Sequence, residues 1–405
     1  MRRRDFFKRS IVAATALTAT SAVAKESGSK TITHQPIDNQ KISTVAFPEK
    51  QPMITYSDRP PLLESPRSVF TQTITPNDQF FVRWHLPEIP TYIDPNKFTI
   101  KIDGEVERDI TISLHDLKTK FEPVEVTAVL QCGGNSRSAF TPSAGGIQWG
   151  SGAVGNAKWK GVRLREVLER AGIKKGAQWI GFNGQDNAAY YETPNFVREL
   201  HLDELNDHVI LAFEMNGEDL PYLNGYPLRL IIPGTYSDSW VKMLSHITVT
   251  TEYQKLFFMD VAYRIPDNDC ECETPEKHYK PTKPITKMNV KSIIGYPQNG
   301  SKLHANSHTV VRGVAFDDGH GIENVFISID EGKTWEKALL DDGSAGRYSF
   351  RAFRFTLNPS NYGTLTIMAK AVNRMGEEQL FDHEIKWNHG GYKYNGIDTV
   401  VVEVV

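Results

Sequence analysis

Apolar and polar positions change their rhythm several times along this chain, and each change predicts a different kind of element. Residues 25–75 are polar and proline-rich with no sustained period, which predicts an extended segment over the surface. From 76 to 270, short strand-like runs alternate with few helical patterns. Phe98 to Ile102 alternates, and Val124 to Gln131 places Val124, Val126, Ala128 and Leu130 on one strand face. Within Val162 to Gly172, the residues Leu164, Val167, Leu168 and Ala171 follow the helical period, and Gly172 suits a C-terminal stop. Further strands are predicted at Val209 to Met215, Pro227 to Ile232 and Val241 to Thr250, so this stretch reads as a mixed α+β domain.

A second shift falls at Asp267 to Pro284 and predicts a linker, with the domain boundary at residues 271–285. Beyond it, residues 286–405 carry only strand signals: Thr309 to Phe316, Val325 to Ile329, Trp335 to Leu339, Tyr348 to Leu357, Leu365 to Ala371 and Val400 to Val405. Short strands separated by Asp, Gly and Asn turns predict an all-β, immunoglobulin-like sandwich.

Composition narrows the classes. The 405 residues include 46 Lys plus Arg against 49 Asp plus Glu, a net charge of −3, and are 40% hydrophobic. That is ample core material, and the body of the chain has no basic block of the kind a nucleic-acid surface needs. Residues 1–24 read as an export signal. Arg3-Arg4-Asp5-Phe6-Phe7-Lys8 resembles the twin-arginine motif, a small-residue apolar stretch follows, and Ala22-Val23-Ala24 offers a cleavage site. The stretch is too short in apolar residues for a membrane span. The expectation is a periplasmic protein exported already folded, a route that suits a cofactor inserted beforehand.

Cys132 stands apart from Cys270 and Cys272. It lies in Leu130-Gln131-Cys132-Gly133-Gly134-Asn135-Ser136-Arg137, where a strand runs into paired glycines that let the backbone approach a bulky group. The residues alone leave three roles open: metal ligand, nucleophile, or small buried hydrophobe. Cys270 and Cys272 are separated by one residue, which disfavours a mutual bridge, and two ligands are too few for structural zinc, so they read as non-catalytic.

The segment LQCGGNSR resembles the sulfite oxidase family of molybdopterin enzymes. Phe81-Val82-Arg83-Trp84-His85-Leu86-Pro87 upstream is similar to that family's F-x-R-x-H-L-P run. Gly146 to Trp149, Gly152 to Val162, Glu214 to Gly217, Gly225 to Arg229 and Met259 to Arg264 follow in the family's order. Val325 to Trp335 resembles its dimerisation domain. The resemblance is closest to the catalytic subunit of periplasmic bacterial sulfite dehydrogenases.

The resemblance implies a sulfite-oxidase-type molybdopterin domain followed by the sandwich, with molybdenum and molybdopterin as cofactors. By the same resemblance, Cys132 binds the metal. Arg83, Arg137 and Tyr263 surround the anionic substrate, and Trp149 walls the pocket. His85, Asp186, Asn224, Arg229 and Lys242 hold the pterin. Asn224 stands where family members can show His, and a pocket arginine expected from the C-terminal domain is missing from Trp387 to Lys393, with Lys393 or His389 as substitutes.

The implied reaction is oxidation of sulfite to sulfate, that of a sulfite:cytochrome c oxidoreductase. Electrons would pass singly to a separate c-type cytochrome, since no C-x-x-C-H haem motif occurs and no cytochrome b5 module precedes the molybdenum domain. A homodimer is expected through the sandwich. The alternative keeps the fold and reduces an S-oxide such as methionine sulfoxide. Rivals of other classes are a Cys132–His85 thiol hydrolase and a binding protein without catalysis.

Overall fold

The computed structural model describes residue 47 and residues 49–405. The export signal, and residues 25–46 of the extended segment, lie outside the described residues. The remainder of that segment is not merely extended. Ile54–Asp58 and Pro61–Glu64 form an antiparallel hairpin, and Pro61–Glu64 also pairs with Val82–Arg83. The strands are short and Arg59-Pro60-Pro61 interrupts them, so no period shows in the sequence. Their purpose lies elsewhere in the fold: the Glu64 carboxylate accepts the backbone N–H groups of Gly150 and Gly152, at 2.8 and 2.9 Å.

Two five-stranded sheets build the first half. In one, Glu218–Asp219, Ile210–Met215, Val154–Arg163 and Val124–Gln131 lie side by side, and Arg229–Ile231 also pairs with Ile210–Met215. Val124–Gln131 runs in unbroken antiparallel register with the strand from Val154, from Val124 against Gly161 to Gln131 against Val154. In the other sheet the order is Ile110–Ser113, Thr99–Gly104, His246–Thr250, Trp179–Asn183 and Val197–His201. Its Thr99–Gly104 and His246–Thr250 strands run parallel.

The helix predicted from Val162 begins two residues later. Val162 and Arg163 complete the sheet opposite Leu211 and Ile210, and the helix spans Leu164–Ala171. Leu164, Val167, Leu168 and Ala171 are its buried face, and Gly172 ends it at φ +74°. A Leu168→Ala change on that face costs about 2–5 kcal/mol, because neighbouring side chains only partly refill the cavity.

The second half is the predicted sandwich. One sheet holds Lys291–Tyr296, Thr309–Phe316, Arg351–Leu357 and Leu339–Leu340. The other holds Lys302–Leu303, Asp398–Val404, Gly363–Asn373, Ile322–Ser328 and Glu336–Lys337. Val311, Val325, Ile327, Ile367, Ala369 and Val400 meet between them. Phe316 and Phe350 belong to the core of the first half, where Phe350 meets Phe70 edge-on, so one apolar core crosses from the first half to the sandwich.

The predicted linker is built more firmly than its composition suggests. Thr282–Pro284 pairs with Arg264–Pro266, and Cys270 and Cys272 form a disulfide, against the expectation that their spacing disfavours one. Glu271 between them takes a left-handed φ of +53°, which folds the chain back on itself. Asn268 holds that fold, its side chain bonding the backbone N–H and carbonyl of Cys272. Among the described residues, no helix is long and apolar enough to cross a membrane.

Candidate active site

Cys132 directly follows the Val124–Gln131 strand. Its N–H still pairs with the Ala153 carbonyl at 3.0 Å, so the sheet carries the thiol to its rim. The chain then turns: the Asn135 N–H returns to the Cys132 carbonyl at 2.9 Å, and the Asn135 side chain accepts the Ala153 N–H at 3.0 Å. Ser136 takes a left-handed φ of +64°. Its hydroxyl accepts from the buried ammonium of Lys291, 2.7 Å away on the sandwich. Gly134 leaves room for the Arg137 guanidinium, which a Cβ at that position would push aside.

The thiol opens into a partly enclosed cavity. Arg83, His85, Asn224, Arg229, Lys242 and Tyr263 line it together with Cys132, so residues far apart in the chain converge on one cavity. Arg137, Trp149 and Asp186 do not line it. Arg137 donates to the carbonyls of Gly390 and Ile147, each at 3.0 Å, and lies over the Tyr392 ring. Trp149 is fully buried and packs edge-on to Tyr56, with ring centroids 4.9 Å apart. Asp186 is buried beside the cavity; burial pushes its carboxyl up, with Lys242 opposing.

The cavity is cationic and short of counter-charges. Among the described residues, Arg83, Arg229 and Lys242 have no carboxylate within ion-pair distance. Arg229 donates to the carbonyls of Asn224 and Trp240, and its Nε is buried without a partner. Arg83 Nη1 is likewise buried and unpartnered. Lys242 donates to the Arg83 carbonyl at 2.8 Å and lies over the Trp84 ring. Burial, reinforced by the Arg229 charge, lowers the Lys242 ammonium to about 7, and burial lowers Arg229 to about 9. Cations in this condition are stabilised by an anion.

His85 and Tyr263 are joined by a hydrogen bond. His85 stacks on Phe196 with centroids 3.7 Å apart. Burial first, then the charges of Arg83, Lys242 and Arg198, hold the imidazole well below its ordinary value, so it is neutral. Burial raises the Tyr263 phenol, which therefore keeps its proton while sharing a hydrogen bond with His85 Nε2. Tyr263 takes a left-handed φ of +60°, an unfavourable backbone for a bulky residue and one that marks functional positions.

Several contributors were not foreseen. Arg198 and Asp238 form an ion pair at 2.7 Å, buried on both sides, with Asp238 on the cavity wall and Arg198 over the Tyr263 ring. Burial raises the Asp238 carboxyl to about 6 while Arg198 opposes. Lys50 donates to Asn224 Oδ1 at 2.6 Å and Asn224 donates to the Phe81 carbonyl at 3.0 Å, which fixes the amide at the position where relatives can carry His. No motif signals these residues. The C-terminal segment brings Tyr392 to the site, while Lys393 pairs with Glu271 at 2.7 Å and neither Lys393 nor His389 lines the cavity.

Two family models match the chain: an oxidoreductase molybdopterin binding domain over residues 85–258 and a Mo-co oxidoreductase dimerisation domain over residues 282–402. The mitochondrial sulfite oxidase of Drosophila melanogaster is 32% identical over 366 residues, covering 86% of this chain and 63% of the fly protein. This chain thus spans somewhat less than two thirds of that relative's length. The sulfite oxidase of Gallus gallus is 31% identical over 360 residues, covering 85% of this chain and 76% of the chicken protein. In fold, the chain is similar to the sulfane dehydrogenase SoxCD from Paracoccus pantotrophus, with a TM-score of 0.73, 24% identity, and coverage of 92% of this chain and 95% of that one.

Molybdenum and molybdopterin are the cofactor these matches indicate, and the cavity fits it. The unpartnered Nε of Arg229, with the Lys242 ammonium, suits the anionic parts of such a group. Cys132 at the same cavity offers a soft sulfur ligand for the metal.

Proposed function

We propose that this chain, which belongs to the sulfite oxidase family of molybdopterin enzymes, oxidises sulfite to sulfate. The observation that carries the reading is the convergence of Cys132 with Arg83, Arg229 and Lys242 in one cavity where the cations lack carboxylate partners. When bound, the cofactor supplies the two-electron redox chemistry, and the protein supplies orientation and electrostatics.

Each side chain has a task in that scheme. Arg229 and Lys242 hold the cofactor's anionic groups, while Asn224, fixed by Lys50, and His85 orient it. Arg83 turns its free N–H toward the substrate anion. Tyr263 presents a protonated phenol beside a neutral imidazole, so the pair orients an oxyanion without adding negative charge. Arg137 braces the far side through Tyr392 and Tyr263, and Asp238 is neutralised by Arg198 before any anion enters.

The reading extends to the setting of the reaction. The twin-arginine-like leader supports export of the folded protein to the periplasm. The absence of a C-x-x-C-H motif supports transfer of electrons to a separate c-type cytochrome, and the net acidity supports a basic docking face on that partner. The match to a dimerisation domain supports a homodimer.

The test is sulfite-dependent reduction of cytochrome c by natively exported protein that has been shown to contain molybdenum. Turnover that rises and saturates with sulfite is expected. No turnover with cytochrome c or with ferricyanide would overturn the direction of the reaction and leave S-oxide reduction as the activity to assay.

A further inference from the structure

Away from the cavity, a glutamate and two histidines meet where the disulfide loop touches the C-terminal segment. Glu273 follows Cys272, and its backbone N–H donates to the Trp387 carbonyl at 2.9 Å. Its carboxylate is aimed by two backbone donors, Tyr279 N–H on Oε2 at 2.8 Å and His389 N–H on Oε1 at 2.9 Å. The rings of His278 and His389 lie over each other with centroids 3.5 Å apart. One ligand atom from each of the three residues falls within 4.8 Å of the other two.

His389 is placed by contacts at both ring nitrogens. Its Nε2 lies 3.2 Å from the Pro275 carbonyl, which can only accept, so that nitrogen carries the ring proton. Nδ1 is buried and lies 2.9 Å from Glu273 Oε1. A proton on Nδ1 or a metal cation can be shared across that gap. A ring nitrogen facing a cation while the other ring N–H donates to a backbone carbonyl is the usual arrangement of a metal-bound histidine.

His278 completes the set. Its Nδ1 is 3.9 Å from Glu273 Oε2, and its side chain is 73% exposed, free to swing into line. Bonds of about 2.0–2.1 Å to a tetrahedral zinc ion place neighbouring ligand atoms roughly 3.3 Å apart. That spacing lies between the 2.9 and 3.9 Å separations found here. Two imidazoles and one carboxylate favour a borderline transition metal over calcium or magnesium.

We propose that Glu273, His278 and His389 form a binding site for a divalent transition-metal ion, with water filling the remaining position. The site joins the disulfide loop to the segment whose Gly390 carbonyl holds Arg137 and whose Tyr392 stacks on Tyr263. It is separate from the molybdenum cavity and shares no lining residue with it.

The test uses tag-free, molybdenum-loaded protein, dialysed against chelator and titrated with zinc against a chromophoric competitor. One equivalent per chain is expected, with affinity reduced at least ~10-fold in His278→Ala and in Glu273→Gln. Zinc should also raise the melting temperature of the wild type and not that of His278→Ala, whose exposed side chain makes misfolding no explanation. No saturable uptake, or uptake and stabilisation equal in wild type and both variants, would overturn the site. A plain imidazolium–carboxylate pair between His389 and Glu273 would show as pH-dependent stability with no zinc uptake, and that outcome also overturns it.

Discussion

The guanidinium of Arg137 lies 5.2 Å over the ring of Tyr392, and Tyr392 in turn stacks on Tyr263 with centroids 5.5 Å apart. The Tyr392 hydroxyl also accepts the Tyr263 N–H at 3.3 Å. The C-terminal half therefore reaches the cavity through an aromatic ring that supports one cavity residue and braces an arginine, where the family resemblance implied an arginine.

Removing that ring tests the arrangement. A cation–π contact and an aromatic pair each contribute roughly 0.5–1.5 kcal/mol. Tyr392→Ala is expected to raise KM for sulfite about tenfold or more, with Tyr392→Phe retaining most of the wild-type affinity because it keeps both ring contacts. Steady-state kinetics on variants matched for molybdenum content would decide; an unchanged KM in Tyr392→Ala would mean that Arg137 does not depend on the ring.

The Arg198–Asp238 pair is buried on both sides, so removing one partner strands the other charge. Arg198→Met is expected to destabilise by about 3–5 kcal/mol, whereas the double change Arg198→Met with Asp238→Leu loses less. Urea denaturation of the four proteins in a double-mutant cycle measures this. Additive losses would show that the two charges do not depend on each other.

Stability of the cofactor-free protein should rise with pH above neutrality. Burial lowers the ammonium groups of Lys50, Lys242 and Lys291 to about 7, from the ordinary 10.5. Between those values the unfolded chain holds protons that the folded chain lacks, so folding is favoured as protons become scarce. Each lysine contributes a slope of at most about 1.4 kcal/mol per pH unit. Lys242→Met should flatten the rise in urea-denaturation stability between about pH 7 and about pH 9. A variant with the wild-type slope would show that Lys242 keeps its proton in the folded state.

Cys132 is the one cysteine outside the disulfide, and its backbone is held by the sheet independently of its sulfur. Cys132→Ser should keep the fold, as read by circular dichroism and melting temperature, while sulfite turnover falls at least ~100-fold, the scale set by losing an interaction made in the transition state. Wild-type-like turnover in that variant would remove the thiol from the metal site.

Much of this architecture was legible in the chain. Strands such as Val124–Gln131 and Thr309–Phe316 were readable at their true bounds because alternation is a property of neighbours two residues apart. The hairpin at Ile54–Glu64 escaped because its strands are shorter than a reliable period, and the disulfide escaped because the left-handed turn at Glu271 leaves no mark in composition. Among the site residues, Arg83, His85, Cys132, Asn224, Arg229, Lys242 and Tyr263 line one cavity. Arg137 and Trp149 sit in the same matched segments yet turn to backbone carbonyls and to Tyr56.

By itself, then, the sequence determined the order of strands, the two-part division and the cysteine at a strand's rim, all consequences of short-range periodicity and turn chemistry. Only the tertiary structure decided which charges are left unpaired. Lys50 meets Asn224 across 174 residues and Arg137 meets Gly390 across 253. Burial turns such distant meetings into shifted protonation and orphaned donors, and desolvation depends on what the whole fold packs around a group, which no local pattern encodes.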